Sequence, residues 1–310
     1  MPQKKIEYSI VIPVYNSKAS LEELYRRIIN TFKSITPNYE IIMVDDCSQD
    51  QSWQILLKLH AHDKKVKVIE LLKNFGQQNA IMCGLGFARG NYIITMDDDL
   101  QHPPEEIPKL INKIQEGYDV VYGQYYKKEH NVARNLGTHL INFILKKVTR
   151  RQFNLTSFRI IKKIVVDKIV KYNNYNVMVD VCISNLASNE KVGLCLVGHN
   201  RRKFGKTNYS FSRLLSFSVS LLLNYSTLPL KVASLTGLFL SFLSFIIALA
   251  LIINYFHKQV HVSGWTSLIL IIIFFSGVIL FVLGIIGEYI SRIFLSLNNK
   301  PQFEIREIKL

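Results

Sequence analysis

Short runs of β-branched residues alternate with amphipathic stretches along the first 125 residues of the chain. The runs fall at 9–12, 39–44, 66–71, 92–96 and 120–122, and each predicts a strand. Between them, apolar residues recur at helical spacing over 21–32, 51–59, 78–88 and 105–115. Strands alternating with helices of this length predict βαβ units, and hence an α/β fold with a mostly parallel sheet covered by helices on both faces. Ligands of such sheets bind at the carboxyl ends of the strands, so the residues just after each run carry the most information. Farther along the pattern loosens. Residues 132–148 and 166–172 read as helices, and 157–161 and 192–197 as extended chain.

The C-terminal quarter has a different pattern. Residues 232–256 and 262–287 form two stretches without a charge, 25 and 26 residues long. A helix needs about 20 apolar residues to cross the hydrocarbon core. Two transmembrane helices are therefore expected, at about 232–256 and 264–290, and a purely soluble protein is excluded. The stretch 209–228 is apolar but holds Arg213 and several serines, which suits a segment lying in the membrane interface. The expected organisation is a catalytic domain over 1–208, an interfacial segment over 209–228, and a membrane domain over 229–310 that ends in a cytoplasmic tail. The loop at 257–261 holds one lysine, whereas the flanks hold Arg213, Lys231, Arg292, Lys300, Arg306 and Lys309. The positive-inside rule places both flanks in the cytoplasm. The apolar run at 6–13 is too short for a leader, so the N-terminal domain is expected to be cytoplasmic.

Charge is as uneven as hydropathy. The net charge is +15, yet residues 1–126 carry 14 basic and 16 acidic side chains. Residues 127–206 carry 17 basic and 4 acidic side chains, net +13. Such a block suits anionic headgroups, phosphates or nucleic acid, and its place beside the apolar spans favours the first two. No nucleic-acid partner is expected. The four cysteines (Cys47, Cys83, Cys182, Cys195) show no metal-ligand spacing and read as free thiols.

Candidate chemistry clusters after the expected strands. The sequence Met96-Asp97-Asp98-Asp99-Leu100-Gln101-His102-Pro103-Pro104 places three carboxylates directly behind an apolar run. Adjacent carboxylates repel each other unless a cation neutralises them. Oxygen ligands at a strand end suit Mg²⁺ or Mn²⁺ shared with substrate phosphates. A solvated acidic turn is the alternative, which the strand before and the Pro-Pro pair after make less favoured. Pro13, Tyr15 and Asn16 follow the first run, and the Tyr15 ring can offer its face to a base. Asp45 and Asp46 follow the second, where a carboxylate can accept a hydrogen bond from a base N–H or a ribose hydroxyl. Lys73, Asn74, Phe75, Gly76 and Gln77 follow the third.

In this order and spacing, IPVYN, VDDCS, KNFGQQNA and DDDLQHPPEEIP resemble glycosyltransferase family 2. They are closer still to the polyprenyl-phosphate glycosyltransferases, such as bactoprenol glucosyltransferases and dolichol-phosphate mannose synthases. The resemblance continues through Thr156-Ser157-Phe158-Arg159 and residues 202–210, and on to Gly287-Glu288-Tyr289. It implies a GT-A, Rossmann-like fold and a metal-dependent inverting transfer. Asp97, Asp99 and Gln101 would be catalytic, with Asp97 and Asp99 as metal ligands for Mg²⁺ or Mn²⁺. Pro13, Tyr15, Asn16, Asp45, Asp46, Asn74, Gln77 and Asp98 would bind the nucleotide sugar. Arg134, Arg159 and Arg202 would hold phosphate or acceptor, with Lys127 beside Tyr125 where many members carry an arginine.

The implied reaction is transfer of a single sugar from a UDP-glucose-like donor, or another UDP- or GDP-sugar, to polyprenyl (undecaprenyl) phosphate. The enzyme would be integral to a bacterial inner membrane, with its catalytic domain cytoplasmic, in contact with membrane lipids and compatible with a homo-oligomer. A lipid phosphate is largely dianionic at neutral pH and needs no strong general base. It needs positive charge to hold it and stabilisation of the departing nucleoside diphosphate. A processive polysaccharide synthase is a second expectation, disfavoured because Trp53 and Trp265 lie in no Q-x-x-R-W setting. A non-catalytic subunit of a lipid-sugar flippase is a third, disfavoured by the intact aspartates and by the small number of spans.

Overall fold

The computed structural model describes residues 5–125, 156–172, 177–198, 200, 228–257, 264–297 and 301–310. It divides into two compact units: residues 1–214 with 300–310, and residues 215–299.

The first unit begins with β1 (Tyr8–Val14), α1 (Leu21–Lys33), β2 (Tyr39–Asp45), α2 (Ser52–His62), β3 (Val66–Leu71), α3 (Gln77–Phe87) and β4 (Tyr92–Thr95). A 3-10 turn at Pro104–Glu106 leads into α4 (Ile107–Gln115), followed by β5 (Val120–Tyr125). These elements lie where the hydropathy pattern predicts them, to within three residues at each end. After β5 come β6 (Arg159–Lys162), α5 (Lys163–Ile169), α6 (Val179–Leu186) and β7 (Val192–Val197). The expected helix at 132–148 lies outside the described residues. Helix α6 carries no amphipathic signal that the sequence reading used.

The sheet order is β7-β5-β6-β4-β1-β2-β3-β8, with β8 at Ile305–Lys309. Strand β1 pairs in parallel with β2 and β4, as do β2 with β3 and β5 with β7. Strand β6 runs antiparallel between β4 and β5, and β8 runs antiparallel beside β3. The sheet is therefore mixed, with its parallel centre at β4-β1-β2-β3. The segment read as a C-terminal tail supplies an edge strand.

Period two in the strands sorts side chains into two cores. Tyr8, Ile10, Ile12 and Val14 of β1 join one cluster with Leu24, Ile28, Leu56 and Leu110 from α1, α2 and α4. Val11 joins the other, with Ile81 and Leu85 of α3, Val166 of α5 and Val179 of α6. Helices thus cover both faces. On α1, Leu21, Leu24, Ile28 and Phe32 make the buried stripe, with Glu22 and Glu23 in the first turn and Lys33 in the last, the polarity a helix dipole favours. Helix α3 lies unusually close to β1. A Cβ at Gly84 would stand 2.4 Å from Val11 Cγ1, so only glycine permits this approach.

The second unit contains α7 (Leu228–His257) and α8 (Trp265–Leu297), 30 and 33 residues long. Their apolar side chains point outward: Leu238 is 68% and Phe281 70% exposed. Among the described residues, one window, Phe274–Ser291, is long and apolar enough to cross a membrane, and none of it is buried. A shorter apolar stretch lies at Leu230–Leu240. Two long helices are present where two spans are expected, but among the described residues only one holds a window long and apolar enough to cross a membrane.

Candidate active site

The carboxyl ends of β1, β2, β3 and β4 converge on one cavity of about 530 Å³. Pro13, Val14 and Tyr15 line it from the β1 end, and Asp46 from the β2 end. Asn74, Gly76 and Gln77 line it after β3, and Asp97, Asp98, Asp99 and Gln101 after β4. Four short segments far apart in sequence thus meet because parallel strands bring their carboxyl ends to one edge.

The loops that carry these residues are strained. Asn16, Cys47 and Leu100 have φ of 53°, 58° and 62°. Such values are uncommon outside glycine, and a bulky leucine holds one only when its surroundings fix it. Leu100 is buried, and its neighbours on either side, Asp99 and Gln101, both face the cavity. Gly76, at φ 90°, opens α3 directly beside the cavity.

Hydrogen bonds hold the acidic element from several directions. Gln77 Nε2 donates to Asp97 Oδ1 at 2.7 Å, and Ser157 Oγ donates to Asp97 Oδ2 at 2.6 Å. The Asp97 N–H donates to His102 Nδ1 at 3.3 Å, which leaves the ring proton of a neutral His102 on Nε2. The His102 ring stacks on Phe158 at 5.3 Å and on Tyr125 at 5.7 Å. Tyr15 N–H donates to Asp98 Oδ2 at 3.2 Å, and Gln101 N–H donates to Asp99 Oδ1 at 3.1 Å. Asp46 accepts from the Phe75 and Gly76 N–H groups at 2.7 and 2.8 Å, tying the β2 end to the loop after β3.

The donors named here are all neutral. Among the described residues, none of Asp46, Asp97 and Asp98 is paired with a lysine or arginine. Burial, with the charges of Asp97 and Asp99 adding to it, pushes the Asp98 carboxyl up to about 7. Burial pushes Asp46 up to about 6, although its two backbone donors work the other way. No group of three or more His, Cys, Asp or Glu side chains among the described residues is arranged to hold a metal by itself. Asp97 and Asp99 are oxygen donors open to the cavity, so a hard cation there would take its remaining ligands from a bound phosphate and water.

The cavity brings together Pro13, Tyr15, Asp46, Asn74, Gln77, Asp97, Asp98, Asp99 and Gln101 of the residues expected from sequence. Tyr15 is 44% exposed, with its ring available to a flat ligand. Asn16 and Asp45 support the loops instead of lining the cavity. Asp45 is fully buried and accepts from Ser48 N–H and Oγ at 3.0 and 2.5 Å. Asn16 N–H donates to Ser48 Oγ, and Asn16 Oδ1 accepts from Gln49 N–H, which joins the β1 and β2 loops.

The expectation for Arg159 is corrected. Its guanidinium is fully buried in an ion pair with Asp180, with Nε donating to Thr95 Oγ1 at 3.2 Å. A side chain committed to the core cannot reach a lipid phosphate. Arg134, Arg202 and Lys127 lie outside the described residues. Sequence reasoning passed over Ser157 and His102 as contributors to the site. Ser157 stands in the TSFR stretch, but nothing local shows that it reaches Asp97, 60 residues away.

Residues 9–172 match the family profile described as Glycosyl transferase family 2. The "Uncharacterized glycosyltransferase YkcC" of Bacillus subtilis (strain 168) is 32% identical over 307 residues, 98% of this chain and 94% of that protein. Among solved structures, glucosyl-3-phosphoglycerate synthase from Mycobacterium tuberculosis with Mn²⁺, UDP-glucose and phosphoglyceric acid aligns with a TM-score of 0.51. The identity is 15%, over 70% of this chain and 78% of that one. The same enzyme with UDP alone gives a TM-score of 0.50 at 15% identity, with the same coverage. At this identity the likeness is one of fold.

Proposed function

The chain belongs to glycosyl transferase family 2, and from that premise we propose that it transfers one sugar from a nucleotide sugar to polyprenyl phosphate at the cytoplasmic face of a membrane. The observation that carries the donor half is the convergence of Tyr15, Asp46 and the 97–99 carboxylates on one cavity at the carboxyl edge of the sheet. The Tyr15 ring stacks on the base, and Asp46, held by Phe75 and Gly76, accepts from the base or ribose. The Mycobacterium tuberculosis neighbour was solved with Mn²⁺ and UDP-glucose, in keeping with such a donor.

Asp97 and Asp99 fit a divalent cation by their chemistry: oxygen donors lining the cavity beside a third carboxylate, with neutral side-chain donors, Gln77 and Ser157, on Asp97. When bound, Mg²⁺ or Mn²⁺ supplies neutralisation of the diphosphate leaving group. The protein's own part is positional. Gln77 and Ser157 fix both oxygens of Asp97, the backbone of Gln101 fixes Asp99, and Leu100, at φ 62°, turns the chain between Asp99 and Gln101.

The acceptor half rests on composition. The block at 127–206 has net charge +13, and an outward-facing apolar window lies at Phe274–Ser291. Positive charge at headgroup depth holds a dianionic phosphate that is already a competent nucleophile. Arg134, Arg202 and Lys127 are the positions assigned to that task. Strand β8 follows both apolar helices in sequence yet belongs to the same sheet as β1–β7, so the chain between β7 and β8 crosses any membrane an even number of times. If α7 and α8 span, both flanks therefore lie on one side, and the Lys/Arg excess of those flanks favours the cytoplasm.

The test is incubation of the full-length protein in detergent with polyprenyl phosphate, Mg²⁺ and a panel of UDP- and GDP-sugars. A single sugar joined to the lipid through phosphate is the expected product. Transfer to water-soluble acceptors alone, or growth of a polymer, would contradict the acceptor assignment.

A further inference from the structure

Strand β8 does more than close a sheet edge. It pairs with β3 through Val68–Lys309, Ile69–Ile308, Glu70–Glu307 and Leu71–Ile305, and the register shifts between Glu70 and Leu71. Arg306 is the extra residue of that bulge. Bulges bend a strand and re-aim the inserted side chain. Here Arg306 Nη2 donates to the Leu72 carbonyl at 2.8 Å, while Nη1 lies 3.3 Å from Glu70 Oε1. The Leu72 N–H in turn donates to the Glu304 carbonyl at 2.8 Å. Leu72 is therefore held on both of its backbone polar groups by the C-terminal segment.

Leu72 is also the first residue of the loop that reaches the cavity through Asn74 and Gly76. Two residues of that loop, Phe75 and Gly76, donate to Asp46. Phe75 packs against the same core cluster as Phe303, Ile305 and Ile308. Simple protection of the β3 edge would be served by ladder hydrogen bonds alone. It does not require a guanidinium turned onto the carbonyl where the strand gives way to the loop.

The geometry points to Arg306 as a positioning residue: from the edge strand β8 it fixes the 72–76 loop, and through that loop the Asp46 side of the nucleotide-sugar site. The assignment of the site to a nucleotide sugar rests on the function proposed above; the tether itself does not. The consequence is specific. Removing Arg306 loosens donor binding while the 97–99 carboxylates and the chemistry they support stay in place.

The experiment compares the full-length wild type with Arg306→Ala, Arg306→Lys and the control Lys309→Ala. Hydrogen exchange at residues 72–79 is measured first, since it reads the loop whatever the protein binds. Arg306→Ala should raise exchange there about tenfold with no change in β1 or β2, and Lys309→Ala should not. Donor KM should rise about fivefold in Arg306→Ala at unchanged kcat, as expected for loss of one charge-assisted hydrogen bond that positions a binding loop. Arg306→Lys keeps the charge beside Glu70 but not the fork that also reaches Leu72, and should fall between. Equal exchange in wild type and Arg306→Ala overturns the tether. Raised exchange with unchanged donor KM overturns its link to the site. Raised exchange in a protein whose wild type binds no nucleotide sugar overturns the function proposed for the cavity and supports the tether.

Discussion

The two ends of the central strands treat their carboxylates in opposite ways. At the amino end, Glu40 of β2 is buried and fully neutralised: Lys67 Nζ lies 2.5 Å from it, and Ser9 Oγ and the Arg89 N–H donate at 2.6 and 2.7 Å. At the carboxyl end, Asp46, Asp97 and Asp98 receive the neutral donors described above and no lysine or arginine among the described residues. Among the described residues, the sheet thus pairs a lysine with the acidic group at one end and none with Asp46, Asp97 or Asp98 at the other, where His102 Nδ1 lies 3.7 Å from Asp97 Oδ2. A buried charge without a counter-charge is costly, and folds retain such groups mainly where a ligand completes them. The amino-end carboxylate is closed by Lys67 within the fold, whereas the proposed function has a bound cation complete the carboxyl-end group.

The largest effect expected from this contrast is on catalysis. Asp97→Ala and Asp99→Ala should each lower kcat/KM by roughly a thousandfold, the scale of losing stabilisation of developing charge. Thermal midpoints should stay close to that of the wild type, because both side chains are partly exposed. Sugar transfer in detergent and a melting curve check the two halves. A variant that keeps a tenth of wild-type activity would remove these carboxylates from the chemistry.

Glu40→Ala should do the reverse. It strands Lys67 in the core without its partner, at a cost of about 3–5 kcal/mol in stability. The fraction that remains folded should turn over at the wild-type rate. Denaturant unfolding with activity normalised to folded protein is the check, and a catalytic defect without a stability loss would erase the distinction between the two ends.

A smaller effect concerns pH. The Asp46 carboxyl moves from 3.8 in the unfolded chain to about 6 in the folded protein, driven first by burial. Between these values the folded state keeps a proton that the unfolded state has released. Stability from this group therefore falls as pH rises through that window and is level above it. Asp46→Asn removes the slope but also one acceptor for the Phe75 and Gly76 N–H groups, which shifts the curve without bending it. The informative quantity is the wild type minus variant difference in midpoint between pH 4 and 6.5. Parallel curves would show that Asp46 is not strained by its burial.

How much of this was legible in sequence follows from distance along the chain. The parallel centre was readable because each βα unit closes locally, and strand-end motifs are contiguous in sequence even where the site is not. Asp97, Asp46 and Tyr15 were placed at the strand ends that way, and all three line the cavity. Arg159 was misread because the resemblance at Thr156-Ser157-Phe158-Arg159 carried a phosphate-holding role to it, while its partner Asp180 sits 21 residues on in a helix with no local signal. Strand β8 was missed because Ile305–Lys309 alternates charge and apolar residues like a solvated tail. Its partner Glu70 is 236 residues from Arg306, and no local pattern reports a pairing at that range.

The central claim is that the carboxyl end of the sheet holds a cation and a nucleoside diphosphate together. Calorimetric titration of the full-length protein with UDP and with GDP, in Mn²⁺ and then in excess chelator, tests it most directly. The account predicts binding of one of them in Mn²⁺, weakened at least about tenfold by the chelator and weakened similarly in Asp97→Ala with the metal present. Equal affinity with and without the metal, or no loss in Asp97→Ala, would contradict it.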